Sequence, residues 1–494
     1  MGSRRVFHMA PETSSGPPQR WSVAQIHALA PDPASQKAGT KLAAPGPWSE
    51  MGASPAANLL WGDCKGSGSK PYQVTVELSA PAFACSCPSR KFPCKHALGL
   101  LLLWSAGTVS DTDVLPQRVE EWLSGRKERV QKAEARKTAQ AEKAAEVAND
   151  PEAARKAALA AGKRTAQRAG RIDAGFDELE LWLADQVRGG LTGLRGAGYK
   201  PLDGLARRLV DAQAPGAAAR VKDLAPALST VDWPDHTLRS FAQLNLLIQG
   251  WRNRAQLPGP LAATVSRRVG LAPTTEEIAA DGEQIADRWL VLGLRDDTPD
   301  KLVERRVWLH GESTGRTALL LAFAPQGQSP GLALPVGSSL DARLAFAPEA
   351  AALRAIVLEQ GELQPAWRAA SVPPGETLEG AASTFASAVA ADPWVNTVPV
   401  LLDAAVPVLQ EVGDRREWRV LDAKGSMSVP LIRPGASEAA MALGTAWQDP
   451  DLPRCAYALL AAGGGRPAPV FGIYSLSGFA PVTVWGEDGP VSVS

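Results

Sequence analysis

Apolar and polar positions alternate from Tyr72 to Leu78, the period of a half-buried strand. Cys94 to Trp104 follows as a predominantly apolar helical run, with Pro88 and Pro93 bracketing the loop between. A small ββα unit is predicted there, led by a short helix over 21–29. From 116 to 171 the chain is Ala, Glu, Lys, Arg and Gln with few apolar residues and no sustained heptad seam, so it predicts two solvated helices divided at Pro151 rather than a coiled coil. Between 172 and 266 apolar residues recur every three or four positions (Phe176, Leu179, Leu183; Leu205, Leu209), the stripe of a helical bundle. After 284 the runs become strand-like: 289–294, 306–310, 317–323, 355–358, 418–421, 427–431 and 482–485, with helices expected over 377–391 and 437–447.

The expected architecture is therefore multidomain α+β. A polar, Pro-rich disordered tail covers 1–20 and the small ββα module covers 21–107. A charged helical linker over 108–171 leads to a helical domain over 172–266. A β-rich α+β region fills 280–494, in one unit or in two dividing near 345–395. A chain of 494 residues, 45% hydrophobic, has room for two to four such cores.

Charge alters this picture in one respect. Lys plus Arg equal Asp plus Glu at 52 each, so no whole-molecule field draws the chain to nucleic acid or membrane. The zero hides an asymmetry: residues 1–171 carry 24 basic and 15 acidic side chains, leaving 28 and 37 for the remainder. A basic first third joined to an acidic remainder points to an anionic partner for the first part. Absence of an apolar leader after Arg4-Arg5, of any membrane-length apolar run, and of abundant cysteine sets the expectation of a cytoplasmic protein.

The chemistry lies between 85 and 96: Cys85-x-Cys87 and Cys94-x-His96, six residues apart, in a chain with five Cys and five His. Alternation in a strand puts Cys85 and Cys87 on one side, and the helical turn supplies Cys94 and His96. Three thiolates and an imidazole close a tetrahedral zinc shell with no open position for water or substrate. Such a site stabilises a small fold, by roughly 10 kcal/mol in zinc-finger peptides, rather than running a reaction. Disulfides are the rival, but Cys residues two apart pair poorly and nothing suggests secretion. Cys64 and Cys455 read as buried apolar positions.

The Cys-x-Cys-x6-Cys-x-His run with its following helix resembles the SWIM-type zinc finger. Together with the stretch Trp61-Gly-Asp-Cys64 to Val74 and the opening from Trp21, it is similar to bacterial SWIM zinc finger family proteins. The resemblance implies Zn²⁺ held by Cys85, Cys87, Cys94 and His96, and a role in nucleic-acid or protein interaction, alongside other proteins and an ATPase among them. It covers about a tenth of the chain and says nothing specific of 172–494.

Other motifs fail on spacing. Gly66-Ser-Gly68-Ser-Lys70 and Gly311-Glu-Ser-Thr-Gly315-Arg both lack the glycine spacing and lysine of a phosphate loop, and the second joins two strands, so a hairpin turn is expected. His236 beside Asp235 and His310 at a strand end have no nucleophile placed with them, and neither a nucleophile elbow nor a deaminase pattern occurs. No catalysis is expected. The sequence points to a zinc-binding adaptor for nucleic acid or protein. Arg90, Lys91 and Lys95 are its candidate phosphate-facing residues, with Lys65 and Lys70 nearby. The alternatives are a protein scaffold without nucleic-acid binding and a hydrolase in the carboxyl-terminal region.

Overall fold

A computed structural model of the chain describes residues 20–126 and 150–493, together with 128, 131, 132 and 135. It omits 22, 31–32, 67, 79–81, 90, 92, 231, 298–301, 326–329, 333, 365–371, 414, 434–451 and 488. Of the tail expected over 1–20, only Arg20 is described, and it donates to the Trp104 carbonyl at 2.8 Å; the helix over 437–447, Arg90 and most of the 127–149 spacer lie outside the described residues.

The first unit is a four-stranded antiparallel meander, β1 (Trp48–Ser54), β2 (Leu59–Cys64), β3 (Tyr72–Glu77) and β4 (Ala82–Cys85), paired in that order. Helices α1 (Val23–Ala28), α2 (Pro33–Thr40) and α3 (Lys95–Ser105) accompany it. The expected ββα stretch is β3, β4 and α3, and two further strands widen its sheet. α3 is buried from His96 to Trp104, and its leucines share a core with Trp48, Leu60, Val74 and Val76 of the sheet and with Ile26 and Leu29. Such all-round burial explains why its sequence shows no polar face. α2 crosses α3 where Gly39 and Gly99 meet: a Cβ on Gly99 would stand 2.7 Å from the Leu42 Cβ, and one on Gly39 2.7 Å from that of Leu98. Only glycine permits this approach, which seats the first turn of α3.

The unit extends beyond the expected boundary at 107. Residues 110–112 hydrogen-bond to Ala53 of β1. A helix, α4 (residues 117–126), then lays Val119 and Trp122 against Leu59 and Trp61. Arg118 of α4 forms a tight ion pair with Asp63 of β2. The apolar stripe of α4 is only three residues wide and sits among charges, which made it read as spacer.

α5 (Pro151–Gly189) is one continuous helix of 39 residues that crosses the boundary expected at 171. Pro151 stands where expected, at the break between α4 and α5: it occupies the first turn of α5, where its missing N–H costs no hydrogen bond, and Asp150 caps it by accepting from the Glu152 and Ala153 amides. Ile172, Phe176, Leu179 and Leu183 bury one face of its second half. They pack in a bundle with α6 (Leu191–Ala197), α7 (Lys200–Asp211), α8 (Pro215–Lys222), α9 (Leu224–Ala227), α10 (Trp233–Arg252) and α11 (Gly259–Val269). α12 (Thr275–Asp281), closed by a Thr274/Glu277 capping box, leads out of it.

Two antiparallel sheets follow. The first has order β7-β6-β5-β8-β9, from β5 (Glu283–Asp297), β6 (Leu302–Gly311), β7 (Thr317–Pro325), β8 (Ser339–Phe346) and β9 (Ala355–Gln364). After α13 (Leu378–Ala391) come β10 (Val398–Val412), β11 (Arg415–Asp422) and β12 (Ser428–Pro430). After α14 (Leu452–Ala462) come β13 (Ala468–Ser475), β14 (Gly478–Gly486) and β15 (Gly489–Ser492), giving the order β12-β11-β10-β13-β14-β15. The sheets face one another across a single core of Trp289, Trp308, Phe346, Phe471, Val482 and Trp485. α13 and α14 cover the far side of the second sheet through Phe385, Cys455, Leu459 and Tyr474.

The bundle is fastened to this region. Arg268 of α11 makes two hydrogen bonds to Asp392, Trp394 Nε1 donates to the Gln243 carbonyl at 2.9 Å, and Arg267 pairs with Glu349. α1 of the first unit lies beside β15.

Candidate metal centre

The strand β4 ends at Cys85 and the helix α3 begins after Cys94, so the loop between them brings the four donor residues together. Ser86 prolongs the β3–β4 pairing: its amide donates to the Gln73 carbonyl at 3.1 Å and its hydroxyl accepts from the Gln73 amide at 2.9 Å. Cys94 is the N-cap of α3, in extended conformation, with its carbonyl accepting from Leu98. That position sets its sulfur at the positive end of the helix, where a thiolate is favoured.

The donor atoms of Cys85, Cys87, Cys94 and His96 all lie within 4.8 Å of one another. His96 Nδ1 stands 3.7 Å from Cys85 Sγ and 3.9 Å from Cys94 Sγ. A tetrahedron with Zn–S of about 2.3 Å and Zn–N of about 2.0–2.1 Å has edges of roughly 3.5–3.8 Å, so the cluster has the size a zinc ion requires. The imidazole is 4% exposed, and the Tyr72 ring packs against it at 4.8 Å between centroids. Tyr72 was missed as a site residue in the sequence, where it reads only as the first position of an alternating strand.

The thiols by themselves suit protons, not charge. The contact with Cys94, together with burial, pushes the Cys87 thiol up to about 12, and the contact with Cys85 with burial pushes Cys94 up to about 11. Packing three sulfurs this closely is unfavourable as thiolates unless a cation neutralises them, and a dication is what the set is built to hold. No disulfide forms among the five cysteines. Cys64 ends β2, fully buried, and Cys455 is buried in α14; neither belongs to the cluster.

Of the candidate phosphate-facing residues, Lys91 and Lys95 are exposed beside the centre, as are Lys65 and Lys70 on the β2–β3 connection, and Arg90 lies outside the described residues. His236 sits half-exposed on α10, far along the chain from the metal ligands. His310 lies in β6 opposite Leu290 and Thr317. The 311–316 segment is the hairpin turn expected, tied by Asp287, whose carboxylate accepts from the Ser313 and Thr314 amides.

A closed four-donor site on a strand end and a helix start, in a unit that also carries its own small sheet, defines a zinc-stabilised binding module. Comparison with protein families agrees: a model described as SWIM zinc finger matches residues 72–104, and one described as SWIM-associated four-helix bundle domain matches residues 167–269. The chain thus carries a SWIM zinc finger in β3, β4 and α3 and the associated bundle from the second half of α5 to α11. No curated protein and no solved structure matches it. Among the described residues, no helix is long and apolar enough to cross a membrane.

Proposed function

We propose that this zinc-binding adaptor acts on nucleic acid, and that it does so without catalysis. The observation that carries the reading is the centre itself. Four protein donors saturate the metal, so its chemistry when bound is to lock the β4–α3 loop in place, with Lys91 of the loop and Lys95 at the start of α3 at the surface. Three thiolates on one Zn²⁺ carry a net single negative charge. Neighbouring lysines favour those thiolates and can serve phosphates at the same surface. Five unpaired cysteines accord with a reducing cytoplasm as the place of action.

Reversing Arg90 and Lys91 to Glu tests it. Nucleic-acid binding should fall while zinc stays at one equivalent, because neither residue is a ligand. In the unaltered protein the logarithm of affinity should fall linearly with that of salt, by about 0.7–0.9 per phosphate contact. Unchanged affinity in the double variant sinks the reading. A protein scaffold is the second reading, favoured by the acidic balance of residues 172–494, with 37 acidic against 28 basic side chains. Its mark would be capture of a protein partner that is undiminished in the Arg90→Glu/Lys91→Glu variant.

A further inference from the structure

α5 is two helices in character. From 173 to 189 it carries Asp173, Asp177, Glu178, Glu180 and Asp185 against one cation, Arg188. This half is bound into the bundle: Trp251 donates to Asp173 at 2.7 Å, Arg252 pairs with Asp177 and Glu180, and Arg208 pairs with Glu178. From 153 to 172 there is no carboxylate at all and there are six cations: Arg155, Lys156, Lys163, Arg164, Arg168 and Arg171. Every residue from 155 to 168 is exposed, so this stretch stands clear of the other described elements as an arm about 21 Å long, before Ile172 enters the bundle core. Among the described residues none of the six makes an ion pair.

Helix stability does not explain such a charge pattern. Cations in the first half of a helix gain nothing from its dipole, and here Asp150 and Glu152 already serve the N-terminus. Glu152 stands one turn before Arg155 and Lys156, but no carboxylate lies three or four residues from Lys163, Arg164, Arg168 or Arg171. At about 100° per residue, Lys156, Lys163, Arg164, Arg168 and Arg171 share one face of about 140°. Ala and Gly fill most of the other positions, so the arm is slim.

We propose that the first half of α5 is a docking arm for duplex DNA. The proposal rests on the nucleic-acid reading above, but on different residues. A straight rigid row of cations matches a straight rigid ladder of phosphates, spaced about 1.7 Å along the duplex axis. A slim helix also fits the major groove of B-form DNA, about 12 Å wide, and not the deep narrow one of duplex RNA. Single strands call for aromatic stacking platforms, and the arm has no aromatic residue before Phe176. Only Thr165 and Gln167 offer uncharged polar side chains, so the arm grips the backbone and reads little sequence.

The test uses the full zinc-loaded chain, with the anisotropy of a labelled mixed-sequence duplex as readout. Changing all six cations to Gln keeps helix propensity, so circular dichroism and zinc content should not change. Affinity in low salt should fall at least about tenfold, and the salt slope should flatten by about 0.9 for each phosphate the arm no longer neutralises. A second variant exchanging Arg for Lys and Lys for Arg at the six sites should bind within about twofold, since the arm supplies charge rather than geometry. Wild-type affinity and slope in the Gln variant would overturn the proposal, as would tighter binding of duplex RNA or single-stranded DNA than of duplex DNA. Loss of binding in Arg90→Glu/Lys91→Glu but not in the Gln variant would leave the finger reading standing and remove the arm; the opposite result would do the reverse.

Discussion

At the scale of residues, the metal ligands were fully legible and their surroundings were not. Cysteine and histidine at such spacing have few other uses, so Cys85, Cys87, Cys94 and His96 announce themselves in sequence. Tyr72 against His96 depends on a hairpin register that pairs Tyr72 with Cys64, and spacing alone does not reveal it. Cys87→Ser should bring zinc from one equivalent to well under half, by elemental analysis after purification without chelator. Zinc should also leave as pH falls, because binding requires thiols to ionise whose crowding and burial already favour the proton. His310 gives a second pH effect, far from the metal. Burial lowers its imidazole below the ordinary 6.5, against the opposing pull of Asp287 and Glu312. A depressed folded-state value means that the unfolded chain takes up the proton first as pH drops. Its share of stability is therefore complete above 6.5 and lost below it. His310→Gln should flatten the dependence of the two-sheet unit's melting temperature on pH between about 7 and 5; an unchanged slope would show that other groups set it.

Among elements, long periodic segments were the legible ones. The strands from 289 to 323 and α13 lie where alternation and helical stripes put them. What escaped was α4, whose apolar residues are few, and the continuity of α5, where an exposed polar half and a buried half differ so much in composition that they read as different regions. Pro151 marked the start of α5 correctly, because Pro is welcome in a first helical turn. α4 makes its own prediction. Arg118 and Asp63 have side chains only 19% and 9% exposed, so Arg118→Ala strands a buried carboxylate and should destabilise the finger unit by about 3 kcal/mol. Asp63→Asn in the same chain should recover part of that loss, which chemical denaturation of a 20–126 fragment can measure if the fragment folds. Phe176→Ala, at a fully buried position of α5, should cost the bundle about 3–5 kcal/mol.

Taken whole, the molecule has one unit that leans on a metal and a larger remainder that does not. The finger unit has a core with Trp48, Phe83 and Trp104, but its β4–α3 loop is held by the metal ligands, whereas the bundle and the paired sheets rest on apolar cores alone among the described residues. Chelation should open proteolytic sites before about residue 126 and leave 172–433 intact, with Cys455 still unreactive to thiol reagents because burial pushes its thiol up to about 12. Cleavage throughout would mean that the units stand or fall together. The seat of α1 beside β15 bears on the order of events in making the protein. Domains assembled on the ribosome usually settle in the order they emerge. Here residues 23–28 are made long before residues 489–492, which complete the strand they rest against. α1 must wait for that distant strand to emerge before it meets its neighbour, so the finger can close around zinc well before it takes its place beside β15.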